Sequence, residues 1–512
     1  MSDIETYLIL EKALESNNST SALMFAKALI KKNPNEPFSH YWYGRSLLAN
    51  KQYSEAIQAF TQALSLNFNH YPSVAALIFT KLKIASWKSI DKLLLKLEEA
   101  ASDTVAEETL EYLEPRFIQP LPIQIALYKK IVMARAKYYL KTKPDIQCKN
   151  YKISNTKIHI GYIAADYNQA DIGFLLRDIF KEHDYDKFEI SLYMLQKLDP
   201  NLTVLLQNTK IVIHDLSSKS EFEIAKKIFN DSVNILLILS GYEVNSLMRI
   251  LACKPAPLQC YFFGFKGTLG ASYIEYALLS KSNISTTVQA GYTDKIIDTG
   301  QTVIGIPSFE KVQNTITREN YALPEKAFVY CNLTATEGIQ PAIFTAWMEI
   351  LQATPTSVLW LQAENENVKN NIKEQATLLH IDSNRIIFCT PEVITHTWRH
   401  QLADVWLDNG THTEILTLLA LLWSGLPIVA LQTVNKINNT PPIINELMQV
   451  SELNAKDILT YIQKAIQLYE VPAERKRLQE ILLQNGKNSP FFQPQVFIKN
   501  IEAQLIALIK NK

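Results

Sequence analysis

The feature that most constrains this chain is a change of texture near Lys157, after which short apolar runs alternate with amphipathic ones. IHIGYIAAD, FEISLYML, IVIHDLS and VNILLILSGY read as strands, and IGFLLRDIFKEH reads as a helix with one apolar face. The pattern restarts at Ala327 with FVYCNL, a helix from Pro341 to Leu351, SVLWLQ, RIIFCT, DVWLDN, a helix ending at Trp423, and PIVALQ. Alternation of this kind builds parallel, doubly wound α/β layers, because each parallel strand needs a crossover to return the chain. Two series in succession imply two such lobes facing a cleft. Ligands of these sheets bind beyond the carboxyl ends of the strands. No G-x-G-x-x-G element follows any strand, so a dinucleotide cofactor is not expected.

Ahead of the lobes the periodicity is helical. Residues 37–70 read PFSHYWYGRSLLANKQYSEAIQAFTQALSLNFNH, with Gly44, Ala56, Phe60 and Ala63 at the small and aromatic positions of a tetratricopeptide repeat and Trp42 and Leu47 on the same face. Residues 71–104 remain helical but fit that pattern poorly. A single repeat is not stable alone, so neighbours must stack on it. Two readings of this arm stay open: a plain packing domain, or a concave surface for a protein partner. The expected organisation is a tetratricopeptide-like helical domain over 1–150, a first α/β lobe over 155–310 and a second over 320–512, with the lobe boundary between Thr299 and Leu323.

At 512 residues the chain exceeds a single core. Its 51 basic and 51 acidic residues give no support for a nucleic-acid or anionic-membrane partner. The five cysteines contain no C-x-x-C pair, which fits reduced core residues and no metal site. MSDIETYL lacks the basic flank and apolar core of a signal peptide, and the apolar run Leu416–Leu431 is broken by Thr417, Ser424, Gly425 and Pro427. A cytoplasmic protein with no membrane span is expected.

The stretch Lys254–Tyr276, KPAPLQCYFFGFKGTLGASYIEY, places Gly264, Gly267, Thr268 and Gly270 within seven residues. Such a loop carries little side chain and lets a ligand approach the backbone N–H groups. This segment resembles the catalytic region of the O-GlcNAc transferase family, in which an RPAP-Q strand leads into a G-PGT-GA loop; Lys266 stands at the proline of that loop. Further agreement comes from Gly161–Asp184, Tyr330–Leu361, Arg385–Asp408, Leu421–Leu431 and NSPFFQPQVFIKNIE. The resemblance covers about residues 155–510 together with the repeat arm. It implies a GT-B fold of two Rossmann-like lobes, a UDP-sugar donor, no metal cofactor, and sugar transfer to protein side chains.

The same resemblance exposes departures. The family's glutamine and lysine after the YCN strand correspond to Ala335 and Gly338, with Glu337 between them set to repel a diphosphate. Losing a cation that meets a leaving diphosphate typically costs several kcal/mol of transition-state stabilisation. Counting back from Trp423, the family's His-Thr-Thr falls on Ile415, Leu416 and Thr417, and a ribose-contacting aspartate on Ala420; a shifted register brings in His412 and Thr413. Ala170 replaces a family histidine, leaving Asp166 and Asp171 as candidate general bases or, alternatively, solvated loop carboxylates or a helix cap. The candidate nucleotide-sugar contacts are Gly267, Thr268, Gly270, Lys266, His396, His412, Thr413 and Thr417, with His396 equally readable as an interior histidine. Two function classes remain open: a working protein glycosyltransferase with altered catalytic residues, or an inactive relative that partners an active glycosyltransferase or presents its protein substrate through the arm.

Overall fold

The computed structural model describes residues 3–15, 18–146, 148–149, 151, 157–165, 170–197, 200–207, 209–242, 244–262, 267–281, 284, 286–300, 316–390, 399–411, 413, 415–432, 440–489 and 493–510. The chain opens with an all-helical arm: α1 (Asp3–Glu15), α2 (Ser19–Lys32), α3 (Pro37–Ala49), α4 (Tyr53–Leu66), α5 (Tyr71–Lys83), α6 (Ile90–Glu98), the single turn α7 (Pro115–Ile118) and α8 (Ile125–Thr142). Helices α3 and α4 form the repeat hairpin. Gly44 is needed there, because a Cβ at that position would lie 2.6 Å from the Phe60 ring.

The first lobe runs β1 (Ile158–Ala164), α9 (Ala170–Glu182), β2 (Phe188–Met194), α10 (Pro200–Leu206), β3 (Val212–Asp215), α11 (Glu221–Asn230), β4 (Ile235–Ile238), α12 (Asn245–Ala252), β5 (Leu258–Tyr261), β6 (Tyr276–Leu279), α13 (Thr286–Ala290) and β7 (Lys295–Asp298). Its seven strands lie in the order 3-2-1-4-5-6-7, all parallel. The second lobe runs β8 (Phe328–Asn332), α14 (Pro341–Ala353), β9 (Ser357–Gln362), α15 (Glu366–Leu378), β10 (Ile386–Cys389), β11 (Val405–Leu407), α16 (Ile415–Ser424), β12 (Ile428–Leu431), α17 (Thr440–Leu447), β13 (Asn454–Ala455), α18 (Ile458–Glu470), α19 (Pro472–Asn488) and α20 (Pro494–Lys510). Its order is 10-9-8-11-12-13, again parallel. The sheets are separate and of GT-B type; most of the expected boundary, residues 301–315, lies outside the described residues. The central strands of both sheets are buried on two faces, which is why they read as nearly unbroken apolar runs.

Three seams join these parts. The first holds the arm to the first lobe through buried charge. Arg135 reaches Glu11 at 2.5 Å and Glu114 at 3.0 Å, Arg45 reaches Glu114 at 3.0 Å, and Arg249 of α12 reaches Glu11, Glu15 and Glu221 at 3.2, 3.3 and 2.8 Å. Burial alone would raise the Glu114 carboxyl, but Arg45 and Arg135 outweigh it and hold it down at about 2. Burial pushes the Glu15 carboxyl up to about 7 in spite of Arg249. The second seam is α20, which returns to the first lobe: Glu502 accepts from the backbone N–H of Asp184 at 2.9 Å and lies 2.8 Å from His183 Nδ1, and Phe497 stacks on Phe262. The third joins the arm to the second lobe at the loop after β8. All five cysteines are buried and free, and no helix among the described residues is long and apolar enough to cross a membrane.

Candidate active site

In each sheet the strand order reverses beside its first strand, between β1 and β4 and between β8 and β11. Crevices open at the carboxyl ends of such strand pairs, where the two flanking loops diverge to opposite faces. In the second lobe this point is closed by side chains. Asn332, the last residue of β8, donates from Nδ2 to the carbonyl of Leu407 at the end of β11 (2.7 Å) and accepts from the Thr334 hydroxyl at 2.5 Å. Asn409 donates to Thr334 Oγ1 at 3.0 Å and accepts from the backbone N–H of Thr411 at 2.9 Å. The Thr411 hydroxyl lies 3.1 Å from the Gly338 carbonyl. The loops after β8 and β11 are thus laced together by hydroxyls and carboxamides, with Gly410 at φ +65° making the turn.

Helix α16 begins immediately beyond this lacing. Thr413 and Thr417 are 2% and 3% exposed. The N–H groups of a helix N-terminus at this position suit an anion. His412 lies outside the described residues, as do His396, Lys266 and Asp166. Asp171 is the second residue of α9, and only its backbone is described. In the first lobe, Ser240 after β4 accepts from the N–H of Ala165 after β1 at 3.1 Å, at the equivalent switch point of that sheet.

The glycine-rich loop takes a different role from the open, ligand-facing one its composition suggests. Thr268 is 1% exposed; its hydroxyl lies 2.6 Å from Asp294 and 2.8 Å from Thr293, and it accepts from the Gly270 N–H at 3.1 Å. Those partners precede Lys295, the first residue of β7, so Thr268 sits toward an amino-terminal strand end, away from the crevice. Burial raises the Asp294 carboxyl above its ordinary value. A Cβ on Gly270, at φ +63°, would meet Val132 Cγ2 at 2.7 Å and the Met133 nitrogen at 2.8 Å. Gly267 (φ +98°) makes the turn into this segment. Close approach is therefore required, but to helix α8. Composition alone does not distinguish the two uses of a glycine.

Gly338 is likewise enclosed. A Cβ there would lie 2.9 Å from Asn409 Nδ2 and 3.3 Å from Thr411 Oγ1, both already engaged. A lysine at 338 would have to displace that lacing. Glu337 does not face a diphosphate unaccompanied either, since Lys83 of α5 pairs with it at 3.4 Å. The sequence places Asn332 and Thr334 in a candidate segment, Cys331–Gly338, without giving them a role; it does not single out Asn409, Thr411 or Lys83. The first four carry one readable signal, the density of Asn and Thr just past two buried strands; Lys83 carries none.

The family model of glycosyl transferase family 41 matches residues 84–305 and 278–501. The chain belongs to this family. A tetratricopeptide repeat model matches residues 37–70, the α3–α4 hairpin. Family 41 relatives include a probable UDP-N-acetylglucosamine–peptide N-acetylglucosaminyltransferase, SEC, of Arabidopsis thaliana, 26% identical over 68% of this chain and 36% of its own. Another is the UDP-N-acetylglucosamine–peptide N-acetylglucosaminyltransferase of Caenorhabditis elegans, 22% identical over 75% of this chain and 44% of its own. The chain thus spans less than half the length of these relatives. A mutant O-GlcNAc transferase from Thermobaculum terrenum superposes with a TM-score of 0.73 at 16% identity, covering 99% of this chain and 97% of that one, which establishes a shared fold. This family 41 chain therefore combines an O-GlcNAc-transferase-like scaffold with a second-lobe crevice whose lacing includes Gly338.

Proposed function

We propose that this chain binds a UDP-sugar at the carboxyl ends of β8 and β11 and transfers the sugar to a protein side chain offered through the helical arm. The reading rests on one observation above the others: the lacing of Asn332, Thr334, Asn409 and Thr411 at the ends of β8 and β11 stands just before the N-terminus of α16, in a family 41 chain. In the reaction the acceptor hydroxyl attacks the anomeric carbon, the bond from that carbon to the diphosphate oxygen breaks, and UDP leaves with the electron pair. Asp166 or Asp171 takes the hydroxyl proton. The N–H groups of α16, with Thr413, Thr417 and the His412 and His396 positions, meet the nucleotide; Lys266 is the candidate cation on the first-lobe side. Thr268, Gly267 and Gly270 hold the arm to the lobe. No metal is required, because the helix N-terminus and side-chain donors supply the positive potential. The cytoplasm is the compartment proposed for it.

One observation favours a second reading, a non-catalytic partner of an active glycosyltransferase: the family's lysine position is Gly338, and its surroundings are filled. Calorimetric titration with UDP and UDP-GlcNAc, paired with mass spectrometry of a peptide acceptor, separates the two. Binding with transfer supports the enzyme, and binding without transfer supports the partner. Absence of UDP binding up to millimolar concentration would overturn the enzyme reading.

A further inference from the structure

The loop after β8 has two sides. One, through Gly338 and Thr411, belongs to the crevice; the other is gripped by the helical arm. Lys83, the last residue of α5, is 20% exposed in its side chain and reaches Glu337 Oε1 at 3.4 Å and Glu364 Oε1 at 3.0 Å. Three further contacts join arm and lobe around it. Asn371 donates to the Ile84 carbonyl at 2.6 Å, Gln340 donates to the Pro120 carbonyl at 3.0 Å, and Trp87 packs on Phe344 with ring centroids 4.8 Å apart. Glu337 and Gln340 bracket Gly338, so both ends of this short segment are tied to the arm. The second carboxylate oxygen of Glu337 is buried without a hydrogen-bond partner. Its charge therefore depends on Lys83 for compensation.

We propose that Lys83 is a positioning residue for the nucleotide site: it neutralises Glu337, fixes the 336–340 segment, and so couples the helical arm to the crevice. This rests on the reading that UDP binds there. Without Lys83, the Glu337 carboxylate would stand beside a site for a dianionic diphosphate, and the segment would lose its arm anchor. Glu337 and Glu364 share this one ammonium, and among the described residues no other cation pairs with Glu337. Lys83 and Glu364 border a cavity of about 480 Å³, lined also by Lys51 and Tyr53, through which salt reaches the pair.

The test compares the full-length chain with Lys83→Met, Lys83→Arg, and Lys83→Met combined with Glu337→Gln. UDP affinity is read by calorimetry at low and high salt, and amide exchange over 334–340 is read without nucleotide. The expected result is a three- to tenfold loss of UDP affinity in Lys83→Met, larger at low salt. Lys83→Arg should stay within twofold of the parent. Adding Glu337→Gln should restore the affinity, which simple loss of packing would not allow. Exchange over 334–340 should quicken in Lys83→Met. Unchanged affinity in Lys83→Met, or a loss that Glu337→Gln fails to relieve, would overturn the proposal. If the parent chain binds no UDP, the functional reading fails instead, and unchanged exchange over 334–340 would then overturn the coupling on its own.

Discussion

The helical arm meets the two lobes by opposite means. Against the first lobe, Arg45, Arg135, Glu11, Glu15 and Glu114 of the arm join Arg249 and Glu221 of α12 and α11 in a buried lattice in which every guanidinium has a carboxylate partner. Against the second lobe the arm presents Lys83, Ile84, Trp87 and Pro120, a handful of contacts that solvent partly reaches. Buried ion pairs are strongly destabilising to break, because the abandoned charge remains in a poor solvent; partly exposed pairs contribute little. Arm and first lobe therefore form one body. Adjustment of the cleft falls on the weaker seam, beside the candidate nucleotide loop.

Breaking the strong seam has the largest expected effect. Arg249→Met removes the guanidinium that crosses this seam, leaves Glu15 without its partner and Glu11 with Arg135 alone, and should destabilise the chain by about 3–5 kcal/mol, visible as a lower urea midpoint. A loss below about 1 kcal/mol would mean that the lattice is not what holds this seam. Gly270→Val forces a side chain into α8 at a left-handed backbone position and should cost about 3 kcal/mol by the same measurement, with the arm becoming more protease-sensitive.

The pH response of the strong seam is next in size. The Glu15 carboxyl is raised in the folded state to about 7 from an unfolded value near 4.5. Its contribution to stability is therefore fully present below about 4.5 and is lost as pH rises to about 7. Glu15→Gln should flatten the fall in melting temperature between pH 5 and pH 7.5, by the equivalent of about 2 kcal/mol. A parallel, merely shifted curve would count against this assignment. The smallest effect belongs to the weak seam: Lys83→Met should change stability by less than about 1 kcal/mol while altering UDP binding.

How much of this was legible in the sequence follows from the range of the interactions. The two strand–helix series and the α3–α4 hairpin were readable, because apolar periodicity and the Gly44–Phe60 contact are local. Strands β6, β7 and β13 escaped the reading; they are two to four residues long, and their place depends on neighbouring strands. The buried lattice was invisible, since Glu11 and Arg249 lie 238 residues apart and each resembles an ordinary surface charge. At the site, Thr413 and Thr417 were recognised as residues near the start of α16, but the lacing of Asn332, Asn409 and Thr411 exists only where two loops meet. Gly270 was read as room for a ligand when it is room for a helix.

Where a nucleotide sits on the chain decides between these readings. Amide exchange of the full-length chain with and without saturating UDP tests this directly. Slowed exchange confined to 333–340 and 408–417 is the predicted result. Protection on the helical arm alone, or around Gly267–Gly270 with none at the ends of β8 and β11, would contradict it.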